Sequence, residues 1–199
     1  MNRLHQQLEF LTEIDQLKSI TRQTLLMDGQ TLENDAEHSW HLALAVMILQ
    51  EHGDDQQIDL SKVIQMVLIH DIVEIDAGDT YAYDEAAHRD KEERELQAAH
   101  RLFGLLPADQ AEQMKTLWLE FEAAQSPEAK LANALDRFMP MWHNYKTKGK
   151  QWQKHGVTDQ MVLKRNRSIE DGSPALWAFA KEMVADAVEK GYLQKETQQ

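Results

Sequence analysis

The chain is expected to fold as an all-helical protein, and three observations support this. Apolar residues recur mostly at three- and four-residue steps, the period of a helix face. Only 4 Pro and 8 Gly punctuate 199 residues. Runs of β-branched residues, the mark of strands, are scarce. The length suits one domain, and a hydrophobic content of 42% allows a sizeable core.

A first helix is expected from Leu8 to about Leu26, closed by a turn at Asp28-Gly29. A second runs from about Asp35 to His52 and stops at Gly53-Asp54-Asp55. A third starts near Leu60-Ser61 and continues through His70 to Glu74, and Asp76-Ala77-Gly78-Asp79 breaks it into a loop. Lys91 to Leu105 reads as a charged amphipathic helix, and Pro107-Ala108-Asp109 opens another that reaches about Ala123. Ser126-Pro127-Glu128 supplies an N-cap, a first-turn proline and an early acid for a long helix through Tyr145. Lys146 to Gly156, with Lys146, Lys148, Lys150 and Lys154 around Trp152, reads as a solvated loop, with a loop over a substrate or a subunit contact as the alternatives. Thr158 to Ile169 and Ser173 to about Lys190 are closing helices, and Lys195 to Gln199 is a frayed tail. The apolar stripes holding Trp118, Trp142 and Trp177 belong to a core or a subunit interface. No repeat, low-complexity tract or linker interrupts the chain. One domain is therefore expected over 1–199, with a core at about 15–145 and closing helices at about 158–190.

Composition narrows the function. There is no Cys, which excludes disulfides and thiolate metal sites, so any metal must be held by His nitrogen and carboxylate oxygen. A net charge of −13, from 21 basic and 34 acidic residues, argues against a nucleic-acid polymer as partner but allows a small phosphorylated metabolite. No stretch is apolar over the roughly 18 residues that a membrane span needs. The first ten residues lack the apolar core of a signal peptide, so the expected location is the cytoplasm. A homodimer is the expected assembly.

The most informative feature is the doublet His70-Asp71 inside the apolar run Val67-Leu68-Ile69-His70-Asp71-Ile72-Val73-Glu74. A buried charge needs a partner, and a cation is a good one. Adjacent residues on a helix diverge by roughly 100°, yet both can grip one ion at the helix edge. Glu74 lies on their face, four residues after His70 and three after Asp71. His38 and His41 sit one turn apart in Ala36-Glu37-His38-Ser39-Trp40-His41, and either can ligate a metal. His41 can also stand behind a ligand, or serve as a hydrogen-bonded core residue. Asp136 lies mid-helix in an apolar setting before Arg137, as a candidate ligand with an ion pair to a neighbouring Arg as the alternative. Two imidazoles and two carboxylates from three helices make a plausible site for one divalent transition metal ion. Mn, Fe, Co, Ni or Zn suits such donors better than Ca.

His38, His70-Asp71 and Asp136 in this order resemble the ligand set of the HD-domain metal-dependent phosphohydrolases. The wording is closer still to the branch that contains 5′-deoxynucleotidases: Glu37-His38-Ser39, His70-Asp71-Ile72-Val73-Glu74, Ala77-Gly78-Asp79, and Leu117-Trp118-Leu119-Glu120-Phe121-Glu122 followed by Ser126-Pro127-Glu128-Ala129-Lys130. The match covers about residues 15–145. The resemblance implies an HD-domain helical bundle with its metal among the central helices. It also implies hydrolysis of a nucleoside or deoxynucleoside 5′-monophosphate. It assigns Glu74 and Asp79 to catalysis and a basic residue before the first His to the phosphate, for which Arg22 matches best. In that mechanism one of Glu74 and Asp79 takes a proton from an activated water, the other helps protonate the leaving 5′ oxygen, and Arg22 offsets phosphoryl charge. Two departures stand out. The Trp usual after that Arg is absent, with Gln23, Thr24, Leu25 and Leu26 in its place, and the path from Arg22 to His38 is about one residue longer. A phosphodiesterase or triphosphohydrolase on the same fold, and a non-catalytic nucleotide-sensing module, are the competing readings.

Overall fold

The computed structural model describes residues 2–55, 57–80, 83 and 90–196. It is mainly helical, as expected, with one departure at the start. Helix α1 (Arg3–Glu13) passes into a 3₁₀ segment, Ile14–Ser19, and the chain then forms a hairpin of β1 (Thr21–Leu25) and β2 (Leu32–Asn34). The helix expected up to Leu26 therefore ends early. Pairing between strands overrides the helical spacing here: Thr21 opposes Asn34 and Leu25 opposes Leu32, antiparallel with an irregularity between. The turn at Asp28-Gly29 forms as expected. Asp28 Oδ1 accepts from the Gln30 and Thr31 amides, and Gly29 takes φ +68°, which favours glycine.

Helix α2 (Asp35–Leu49) follows the hairpin directly. It opens on a capping box in which Asn34 accepts from the Glu37 amide at 2.9 Å and Glu37 accepts from the Asn34 amide at 3.2 Å. Glu37 thus has a structural role at the start of the helix that carries His38. Helix α3 (Leu60–Ile69) tightens into a 3₁₀ turn over His70–Val73 and ends in α4 (Glu74–Ala77), closed by Gly78 at φ +76°. Helices α5 (Lys91–Phe103) and α6 (Ala108–Ala123) pack on one another. The long helix α7 (Pro127–Lys146) is capped by the Ser126 hydroxyl and packs against α2, α3 and α6. Then come α8 (Lys150–Lys154), α9 (Asp159–Arg165), α10 (Ile169–Gly172) and α11 (Pro174–Glu189). One hydrophobic cluster runs from Phe10 to Leu193 and includes Trp118 and Trp177, with Trp142 packed against it.

Two further expectations change. The stretch from Lys146 to Gly156 is not a solvated loop. It contains α8, with Gln151 and Trp152 buried and Lys150 Nζ donating to the Gly29 carbonyl at 2.7 Å. Its lysines point outward and hide the amphipathic character of so short a helix. The expected helix from Thr158 to Ile169 divides into α9 and α10. Residues 197–199 of the expected tail lie outside the described residues.

Gly149 links α7 to α8 at φ +70°, and a Cβ there would sit 1.8 Å from the Tyr192 carbonyl oxygen. Gly156 has a similar φ of +64° with nothing within 4 Å. Gly156→Ala is expected to cost about 1–2 kcal/mol of left-handed strain. Gly149→Ala must also displace backbone and should cost several kcal/mol in denaturant unfolding. Equal losses at the two positions would contradict this packing.

Candidate metal centre

Three elements bring the four expected ligands together: α2 carries His38, the 3₁₀ turn carries His70 and Asp71, and α7 carries Asp136. His38 Nε2 lies 3.0 Å from Asp136 Oδ1 and 4.0 Å from Asp71 Oδ2. His70 Nε2 lies 3.2 Å from Asp71 Oδ1 and 3.4 Å from Asp136 Oδ1. Both imidazoles are buried, and Asp136 is partly open to a cavity. Pro140 lies one turn after Asp136 and lacks the N–H that would bond the Asp136 carbonyl, which loosens α7 beside the cavity.

The rings are oriented from behind. His70 Nδ1 is 2.9 Å from the Val67 carbonyl, which can only accept, so Nδ1 holds a proton and Nε2 is the nitrogen left to face the carboxylates, or to ligate a cation between them. That buried Nε2 makes no aligned hydrogen bond among the described residues, despite two carboxylate oxygens within 3.4 Å. His38 Nδ1 faces the buried Glu33 carboxylate at 3.6 Å. An orphaned imidazole nitrogen, a second carboxylate-backed imidazole and two carboxylates around one point are a donor set that fits a first-row divalent ion.

Without a cation, protons must balance this charge. Burial and the nearby Arg22 cation oppose protonation of His38. Hydrogen bonds to Asp136 and Glu33 outweigh them and raise it to about 9. Burial also opposes the His70 charge, but Asp71 and Asp136 raise it above its ordinary value. Burial pushes the carboxyls of Asp71 and Asp136 up, and the cations around them pull both below their ordinary range.

Arg22, on β1, donates from Nη1 to Asp71 Oδ2 at 2.6 Å and to Asp35 Oδ1 at 3.0 Å. It is a partly buried ion-pair residue rather than a surface one. Asp35, Asp71 and Glu74 form a second cluster of buried carboxylates, and Arg22 supplies the cation for it. Burial, and then Asp71, push the Asp35 carboxyl up to about 6, against the pull of Arg22. Glu74 is driven well above its ordinary value by burial, then by Asp71 and Asp35. Asp79 is raised by burial and held back by Arg22. Arg22, His70, Asp71, Glu74, Asp79 and Asp136 line a cavity of ≈ 210 Å³. Lys91, Glu95, Glu122, Asn144, Gln151, Trp152 and Asn166 line it as well.

His41 does not join the cluster; it turns to His143 on α7. Several residues in and around the site gave little sign of themselves in the sequence. Asp35 looks like any first-turn acid of a helix. Lys91 and Glu95, 2.9 Å apart, look like an exposed i,i+4 pair, although Glu95 is buried. Glu33 sits in a three-residue strand without helical spacing.

The His38 charge gives a pH signature. Its folded-state value lies above the ordinary 6.5, so protonation stabilises the metal-free fold. That contribution is complete below about pH 6.5 and is lost as pH rises through about 9. The melting temperature of chelator-treated protein is expected to fall across this window, and metal-loaded protein should fall less. A flat profile for the metal-free protein would contradict the arrangement.

Comparison with known proteins agrees with this geometry. The sequence model of the HD domain family matches residues 14–177. A crystal structure from Magnetospirillum magnetotacticum MS-1, described as a "predicted metal-dependent phosphohydrolase", is 52% identical with a TM-score of 0.92, over 96% of each chain. Human 5'-deoxynucleotidase HDDC2 is 29% identical over 131 residues, 65% of this chain and 62% of the human protein. The 5'-deoxynucleotidase hdd1 of Schizosaccharomyces pombe is 29% identical over 134 residues, 65% of this chain and 66% of the yeast protein. A Pyrococcus horikoshii OT3 protein, 19% identical with a TM-score of 0.64 over 92% of this chain and 99% of that one, shares the fold. The match thus spans somewhat under two thirds of the human relative's length. With most of its length matched by the family's sequence model, the chain belongs to the HD domain family.

Proposed function

We propose that the chain is a divalent-metal-dependent phosphomonoesterase that releases phosphate from nucleoside or deoxynucleoside 5′-monophosphates. The observation that carries this reading is the meeting of His38, His70, Asp71 and Asp136 beside a cavity that Arg22, Glu74 and Asp79 line together with His70, Asp71 and Asp136. The names of the human and yeast relatives, both 5'-deoxynucleotidases, support the substrate class. That of the M. magnetotacticum protein supports the chemistry.

In this reading His38, His70, Asp71 and Asp136 hold one divalent transition metal ion. When bound, such an ion supplies Lewis acidity for hydrolysis. Arg22 is held by Asp35 and Asp71, and its Nε has no partner among the described residues. It can place fixed positive charge against a phosphoryl group. Hydrolysis needs one proton removed from water and one delivered to the leaving 5′ oxygen. Glu74 and Asp79 are two carboxyls whose raised proton affinity suits them to exchange protons nearer neutral pH. The polar wall of Asn144, Gln151 and Asn166 with Trp152 is left for the nucleoside.

We also propose that residues 1–199 act as one domain, in the cytoplasm, as a homodimer. No helix among the described residues is long and apolar enough to cross a membrane. Trp40, Leu44, Met47 and Ile48 form an exposed apolar stripe on α2 that a second copy would cover, and sedimentation at twice the chain mass is the check.

The activity is tested with metal-reconstituted protein on 5′-monophosphates, cyclic nucleotides and triphosphates. Phosphate release is expected from monophosphates in preference to the others. Glu74→Gln and Asp79→Asn should each lower kcat by about 10²–10⁴-fold, and Arg22→Ala by about 10²–10³-fold. Asp71→Ala should abolish the activity, because it removes a proposed ligand and the anchor of Arg22. Release that survives in Asp71→Ala would overturn the metal reading, and preference for a cyclic nucleotide or a triphosphate would overturn the substrate class.

A further inference from the structure

On the far side of His38 from the centre just described, Glu33, His41 and His143 converge. One oxygen of Glu33 and one ring nitrogen of each histidine lie within 4.8 Å of one another. Three elements supply them: β2, α2 and α7. Glu33 and His143 are buried, and His41 is half-buried at the edge. The proposed phosphohydrolase chemistry uses none of the three directly.

The orientation of His143 is fixed. Its Nδ1 lies 2.9 Å from the Leu25 carbonyl, which only accepts, so Nδ1 holds the proton and Nε2 presents a lone pair. That Nε2 faces His41 Nδ1 at 3.3 Å, where it accepts a hydrogen bond if His41 carries its proton on Nδ1. The separation matches another geometry. Two nitrogens bound at about 2.0–2.1 Å to a tetrahedral ion stand about 3.3 Å apart. The two rings are tilted by 57° with centroids 5.3 Å apart, so they do not stack face to face. The buried Glu33 carboxylate adds the negative charge that a cation between the rings needs.

We infer that Glu33, His41 and His143 form a second site for a tetrahedral first-row divalent ion, with Zn²⁺ or Co²⁺ as the fitting class and a water in the fourth position. The ligands are two imidazoles and one carboxylate, a set suited to Zn²⁺. The site shares Glu33 with the first centre, because Glu33 Oε2 also faces His38 Nδ1 at 3.6 Å. An ion that draws Glu33 toward His41 and His143 weakens its hold on His38, which couples occupancy of the two sites.

Titration of the full chain with Co²⁺, followed by visible absorption and by metal analysis after gel filtration, tests this. Two ions per chain are expected, one of them giving the strong visible bands of tetrahedral cobalt. His143→Asn keeps a donor for the Leu25 carbonyl and removes the ligand nitrogen, and His41→Gln alters a half-buried position that α2 tolerates. Each should bind one ion fewer and lose the tetrahedral bands. Asp136→Ala, which removes a proposed ligand of the first centre and none of the second, should keep them, so failure here is distinguishable from failure of the phosphohydrolase reading. A wild-type chain without tetrahedral bands, or bands that persist in either histidine variant, would overturn the site.

Discussion

Asp71 holds the centre of this molecule together. It is a buried carboxylate with Arg22 at 2.6 Å on one oxygen and His70 at 3.2 Å on the other, and His38 stands 4.0 Å away. A lone carboxylate at that depth would be costly, and each neighbour offsets part of the cost. The arrangement also binds distant parts of the chain to one point. The hairpin delivers Arg22, α2 delivers His38, the 3₁₀ turn delivers the doublet and α7 delivers Asp136. The surrounding helices have to fix four backbones closely for those side chains to meet.

The scaffold does this with ordinary devices. The capping box at Asn34 and Glu37 fixes the start of α2, and with it the position of His38 one turn later. The tightening of α3 into a 3₁₀ turn resets the directions of His70 and Asp71. The Val67 carbonyl and the Glu33 carboxylate then set the two rings. The result is pre-organised: the polar groups are aimed before any ligand arrives, so little reorganisation is left for binding.

Much of this was legible in the chain, and the reasons are physical. Helices α2, α5, α6, α7 and α11 are long, and their caps and flanking turn residues located them within a few residues. The cluster of candidate ligands was legible because an HD doublet in an apolar run is costly without a partner, and the resemblance to a family supplied the rest of the set. The hairpin was not legible. Its strands are three and five residues long, and Arg22-Gln23-Thr24 carries no alternation to set against the helical period around it. Helix α8 was hidden by its lysines. Asp35 and Glu33 were invisible for a different reason: their importance comes from contacts 36 residues and 5 residues away in the chain, at Asp71 and His38, that no local pattern encodes.

The claim beneath the whole account is that one cation belongs where these four side chains meet. Anomalous diffraction from crystals of the manganese-saturated protein, recorded near the metal's absorption edge, tests it most directly. The account requires a peak bonded to His38, His70, Asp71 and Asp136, with the 3.0 Å contact between His38 Nε2 and Asp136 Oδ1 opened by the ion. Saturated crystals that keep that contact and show no peak there would contradict it.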